Sequence, residues 1–178
     1  MTSPASRTDR TLMILASGFG SGYLRPASGT WGSALAVLLY LPLASLNTLT
    51  LWWAWLLFLV AMFALGVWVS GAGERVTGEK DSHDIVFDEF AGQWVALSFL
   101  PASGAAGLGT LWGWSPQHVF VLGASFLLFR VFDVWKPWPI RQLQSLRGGL
   151  GVMIDDILAG LWACALLHIA LWVIRVMG

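Results

Sequence analysis

The chain has 178 residues, of which 57% are hydrophobic and 11% charged, with twelve tryptophans, ten basic and ten acidic residues. A mean hydropathy of +0.70 excludes an ordinary soluble domain, and zero formal net charge excludes an electrostatic footprint for nucleic acid. The length suits one compact helical unit embedded in a bilayer, so residues 1–178 read as a single domain behind a polar tail at 1–10.

The apolar stretch Leu12 to Ala16 is too short for a signal-peptide core, which predicts that the N-terminus is kept. A loop dense in small residues follows, from Gly18 to Ser33. Its glycines can converge backbone N–H groups on an anion, and a helix starting after Thr30 would add its positive end; the structural alternative is a turn leading into the first span.

Crossing about 30 Å of hydrocarbon takes ~20 helical residues. Apolar runs of that order occupy Trp31 to Leu49, Leu49 to Val69, Val119 to Val134 and Val152 to Ile174. A fifth, Phe90 to about Leu108, is interrupted by Pro101 and by a Ser-Gly-Ala-Ala-Gly run; it is assigned as a span that is short or partly re-entrant. The fold expected is therefore an all-α, polytopic membrane bundle of about five spans.

Charge placement orients it. Arg7, Arg10 and Arg25 precede the first span, Arg75 and Lys80 lie between the second and third, and Lys136, Arg141 and Arg147 lie between the fourth and fifth. The intervening links, including Leu100 to His118, carry no charge. Basic residues favour the cytoplasm, so the N-terminus, both charged loops and the Gly-rich loop are expected on that face.

On that face three acidic patches gather. The first is Asp84-Ile85-Val86-Phe87-Asp88-Glu89, at the mouth of an apolar segment; the second is Asp133 with Arg130 and Lys136; the third is Asp155-Asp156 at the start of the last span. Carboxylates beside a membrane are costly unless paired or liganded, and so mark a functional site by default. So many together repel unless a cation neutralises them. An oxygen-only donor set with no Cys/His cluster suits Mg²⁺ better than zinc. The metal set expected is Asp84, Asp88, Glu89, Asp133, Asp155 and Asp156. The catalytic set expected is Asp88, Glu89, Asp84, Asp133, Arg130 and Lys136. Arg130 and Lys136 would clamp a phosphate, with Arg141, Thr30 and the Gly29 and Gly32 backbone completing its pocket.

Such a combination at a membrane surface describes phosphoryl chemistry on a lipid headgroup. No Cys-Arg phosphatase loop, aspartyl-phosphate signature or phosphohistidine pair occurs. Taken singly, each charge is also readable as a solvated loop residue or a helix cap; recurrence on one side favours a site. His83 and His118 read as loop and span-start residues, His168 and Cys164 as packing within the last span, and the tryptophans as interfacial belts.

Four ordered blocks carry a family resemblance: Gly18-Phe19-Gly20-Ser21-Gly22 with Ser28-Gly29-Thr30-Trp31-Gly32-Ser33; Asp84 to Gln93; Phe129 to Ile140; and Gly148 to Gly160. Over most of its length the chain resembles the phosphatidylglycerophosphatase A family of bacterial membrane enzymes. Ser28 departs from that pattern, standing where many members have Pro. The resemblance implies Mg²⁺ dependence, phosphatidylglycerophosphate as lipid substrate, and an inner-membrane hydrolase of phospholipid synthesis with its active site facing the cytoplasm. Water is the expected nucleophile, with an aspartyl-phosphate intermediate as the alternative. The competing class is an ion-coupled transporter using intramembrane carboxylates; here the charges sit at span ends, and no inverted repeat of interrupted segments is visible. Nothing in the sequence sets an oligomeric state.

Overall fold

A computed structural model describes residues 7–44, 47, 50–80, 82–100, 116–146 and 148–177. The described residues are all-helical. The helices are α1 (Arg7–Ala16), α2 (Ser28–Leu43), α3 (Trp52–Thr77), α4 (Phe87–Ala96), α5 (Pro116–Trp135), α6 (Ile140–Leu143) and α7 (Gly149–Met177), with a single 3₁₀ turn at Ser21–Tyr23.

Three of these are long and apolar enough to cross a membrane: α3 with 26 residues, α5 with 20 and α7 with 29. At 1.5 Å per residue they reach about 39, 30 and 44 Å. Their outward faces are apolar, with Leu57, Val60, Leu127, Val131, Ile169 and Trp172 among the exposed side chains. In water such a surface would drive association; in a bilayer it is the solvated face. The α2 helix is apolar but has 16 residues. The expected third span is represented by α4, ten residues or about 15 Å long, and the remainder of that run lies outside the described residues beyond Leu100.

The short α4 is nonetheless the centre of the bundle, packed on α7, α2, α3 and α5. Nine of its ten residues are buried. Its core-facing aromatics mesh with those of α2 and α3: Phe58 and Trp94 ring centroids lie 5.2 Å apart, Phe90 and Trp94 6.1 Å, and Tyr40 meets Trp55 edge-on at 5.8 Å. Trp94 Nε1 donates to the Ala36 carbonyl at 2.8 Å, so the buried indole has its partner.

Against α7 the packing is of backbone on backbone. A Cβ on Gly92 would lie 2.6 Å from the Asp156 carbonyl oxygen, and a Cβ on Gly160 would collide with the Gly92 carbonyl. Small residues at both positions let α4 and α7 approach closely, as membrane helices without a mutual hydrophobic drive require. That approach sets Glu89, one turn before Gly92, opposite Asp156, one turn before Gly160.

The C-terminal end of α4 is closed by side chains from distant elements. Asn47 Nδ2 donates to the Leu97 carbonyl at 2.6 Å and its Oδ1 accepts from the Phe99 N–H at 2.8 Å. Trp55 Nε1 donates to Ser98 Oγ at 2.9 Å, and His168 Nε2 lies 2.8 Å from the Phe99 carbonyl oxygen. Carbonyls that a continuing helix would have bonded are thus satisfied inside the protein.

Candidate active site

The amino end of α4 starts where Val86 donates its N–H to the Ala16 carbonyl at 2.8 Å. This fixes Asp88 and Glu89 in the first turn, where carboxylates meet the positive end of the helix. The ends of three other helices converge on the same point. The amino end of α2 supplies Ser28 and Gly29, the carboxyl end of α5 supplies Arg130 and Asp133, and the second turn of α7 supplies Asp155 and Asp156. Together with Ala27, Ser82, His83, Ile85, Val134 and Lys136 they enclose a cleft of about 340 Å³.

Within the cleft, oxygens of Asp88, Glu89 and Asp156 lie within 4.8 Å of one another. Asp88, Asp155 and Asp156 are buried. Glu89 is partly exposed as a residue, yet its Oε2, like Asp156 Oδ2, is shielded from solvent and makes no hydrogen bond. Buried carboxylate oxygens left open are costly. A hard divalent cation fits this arrangement: the donor groups are all carboxylates, they converge, and Glu89 and Asp156 each keep one buried oxygen without a hydrogen bond.

The cations are arranged around that cluster. Arg130 Nη1 pairs with Asp133 Oδ2 at 2.8 Å and reaches Ser33 Oγ at 3.4 Å. Gly29 lies against the same guanidinium and against Glu89: a Cβ there would clash with Glu89 Oε1 and come within 3.0 Å of Arg130 Nη1. Only a residue without a side chain lets the α2 backbone reach both. Lys136 ends α5 with φ 48°, its N–H donating to the Phe132 carbonyl at 2.8 Å, and Pro137 prevents the helix from continuing. The turn carries Lys136 Nζ to Asp155 Oδ2 at 2.5 Å. Burial alone would lower the Lys136 pKa; the Asp155 hydrogen bond and the Asp155, Asp133 and Asp156 charges outweigh it and raise it.

Of the residues expected from sequence, Asp88, Glu89, Arg130, Asp133, Lys136, Asp155, Asp156 and Gly29 line this cleft, whereas Asp84, Thr30, Gly32 and Arg141 do not. Asp84 is held by Arg25 Nη2 at 2.8 Å. Gly32 packs on Val86, where a Cβ would lie 2.9 Å from the Val86 Cβ. Thr30 is half-buried in the first turn of α2. Arg141, on α6, lines adjoining cavities with Lys80 and Gln144 and with Trp135, Trp138 and Gln142. The loop glycines Gly18 and Gly22 pack against Phe90 and the Asp84 carbonyl, so that stretch acts as a packed turn. Ser28, Ser82, His83 and Val134 join the cleft without having been expected there. His83 had a signal in its place between acidic residues; the others had none.

Residues 14–171 match the family model described as "Phosphatidylglycerophosphatase A". A Bacteroides thetaiotaomicron protein named "Putative phosphatidylinositol-3-phosphatase" is 37% identical over 91% of this chain and 94% of its own length. Proteins named phosphatidylglycerophosphatase A from Escherichia coli K12 and Haemophilus influenzae are 36% and 38% identical, over 87% and 84% of this chain and 80% and 82% of their own lengths. No solved structure matches.

Proposed function

Because this chain belongs to the phosphatidylglycerophosphatase A family, whose members are phosphoric monoester hydrolases of phospholipid synthesis, we propose that it removes the terminal phosphate of phosphatidylglycerophosphate, giving phosphatidylglycerol and phosphate. The observation that carries this reading is the meeting of the Asp88, Glu89 and Asp156 carboxylates within 4.8 Å, ringed by Arg130, Lys136 and the amino end of α2. The family match leaves the ion-coupled transporter without support.

Arg130 and Lys136 hold the phosphate oxygens, with the Gly29 backbone and the positive end of α2 on the same side. Their own carboxylate partners, Asp133 and Asp155, keep both cations in place. Asp88, Glu89 and Asp156 would hold Mg²⁺, which when bound supplies charge neutralisation and polarises phosphate and water oxygens. Water taken up at the cluster attacks phosphorus, the bond from phosphorus to the glycerol oxygen breaks, and a proton is returned to that oxygen. Labelled phosphate trapped on the protein in a single turnover would replace this route by a phosphoaspartate.

The cleft faces the cytoplasm of a bacterial inner membrane in this reading, and the bundle makes about five crossings with its N-terminus inside, following the one-sided distribution of basic residues. The Bacteroides relative motivates a second substrate, phosphatidylinositol 3-phosphate, also a monoester on a polyol tied to the lipid through a phosphodiester. Phosphate release by purified protein in detergent, from each lipid with Mg²⁺ or with a chelator, is the test. Metal-dependent release from phosphatidylglycerophosphate is expected; release from the inositol lipid alone would reassign the substrate, and release from neither would end the proposal.

A further inference from the structure

The carboxylate cleft accounts for one phosphate of a substrate that carries two. A monoester seated against Arg130 and Lys136 leaves the phosphodiester, which ties the headgroup to diacylglycerol, at the membrane surface. Beside the cleft, and sharing Lys136 with it, lies a second cavity of about 260 Å³ lined by Trp135, Lys136, Trp138, Arg141 and Gln142.

Its walls have the chemistry of a headgroup interface. Trp135 and Trp138 are 66% and 74% exposed, and indoles at membrane–water boundaries place a flat apolar body and an N–H donor at headgroup depth. Val134, on the rim of the carboxylate cleft, is 75% exposed and continues the outward apolar stripe of α5. A lipid can therefore enter from the bilayer along α5 and reach the cleft across this cavity.

Arg141 differs from the other cations nearby. Arg25, Arg130 and Lys136 each hold a carboxylate, whereas Arg141 forms no ion pair among the described residues. Its planar fork matches two oxygens of a phosphate. It does not line the carboxylate cleft, and among the described residues no carboxylate lines the cavity it shares with Trp135 and Trp138.

We propose that the cavity between Trp135, Trp138 and Arg141 binds the phosphodiester of the lipid substrate, with Arg141 as the residue that selects monoesters carried on a phosphodiester-linked headgroup. The site rests on the lipid phosphatase reading above and assigns Arg141 to the second phosphate rather than the scissile one.

The test uses the full chain in detergent with short-chain phosphatidylglycerophosphate, comparing wild type, Arg141→Gln and Arg141→Lys. Two inhibitors separate the subsites: short-chain phosphatidylglycerol keeps the diester and lacks the monoester, and inorganic phosphate does the opposite. Arg141→Gln is expected to raise KM and the inhibition constant of phosphatidylglycerol about tenfold, the scale of one charge-assisted contact. Effects on kcat and on inhibition by phosphate should be smaller, and Arg141→Lys should recover part of the loss. Phosphate inhibition and kcat weakening in step with KM would put Arg141 on the scissile phosphate and overturn the proposal, as would unchanged inhibition by phosphatidylglycerol. Wild type without activity on the lipid would instead remove the parent reading, and this one with it.

Discussion

The two ends of the bundle are both polar inside, and they use polarity in opposite ways. At the end away from the carboxylates, Asn47, Trp55, Ser98 and His168 close the carboxyl end of α4, and the Leu97 and Phe99 backbone groups find partners. At the charged end, Glu89 Oε2 and Asp156 Oδ2 are buried with no hydrogen bond. A buried network that is satisfied adds rigidity; one left open stores a cost that a ligand can relieve. The same ten-residue helix joins the two: its closed end anchors it so that its open end can present Asp88 and Glu89.

That contrast can be broken by substitution, and Lys136→Met is the most severe case. It removes the cation from buried Asp155 and from the phosphate site together; about 3–5 kcal/mol of stability should go, with roughly a hundredfold or more in kcat. Thermal melts and phosphate release in detergent check both. Gly29→Ala introduces a Cβ into Glu89 and Arg130, so activity should drop by about ten- to a hundredfold, the effect of an ångström-scale misplacement, with little change in Tm.

Asn47→Leu acts at the other end. It removes hydrogen bonds to the Leu97 carbonyl, the Tyr40 hydroxyl and the Phe99 N–H, and should lower stability by about 2–3 kcal/mol, roughly 1 per bond. Activity per folded molecule should fall far less than in Gly29→Ala; an equal fall would erase the distinction between the ends. The smallest effect belongs to Asp84→Asn, because the Arg25–Asp84 pair is 58% and 32% exposed and lies outside the cleft lining. Under about 1 kcal/mol of stability is expected, with near-wild-type phosphate release. Loss of activity equal to that of an Asp88→Asn variant would return Asp84 to the reaction centre.

Much of this was legible in the amino-acid order because burial cost is local. Carboxylates and basic residues gathered at the ends of apolar runs could be read directly, and Asp88, Glu89, Arg130, Asp133, Lys136, Asp155 and Asp156 meet at one cleft in the fold. Helix ends were not local in the same way. The expected second span stopped at Val69, yet α3 continues to Thr77, since composition marks hydrocarbon while Glu74 and Arg75 extend the helix beyond it. The end of α4 depends on Asn47, 50 residues before the Leu97 carbonyl it caps. Arg141 follows Lys136 by five residues, but the turn at Lys136 and the prolines after it leave Lys136 lining the carboxylate cleft and Arg141 outside it, in the cavity beside it that the two share. Which acids share a cleft and which stand outside it, as Asp84 does, was likewise a matter of how α2, α4 and α7 pack.

The Asp88, Glu89 and Asp156 cluster, as the proposed reaction centre for a lipid phosphate monoester, is open to a single decisive assay. The direct measurement is Mg²⁺-dependent phosphate release from phosphatidylglycerophosphate by Glu89→Gln and Asp156→Asn beside wild type, with Tm recorded on the same samples. Both variants should lose about a thousandfold or more in rate while folding intact, within the range that positioned charge contributes to catalysis. A folded variant keeping a large share of the wild-type rate would contradict the account.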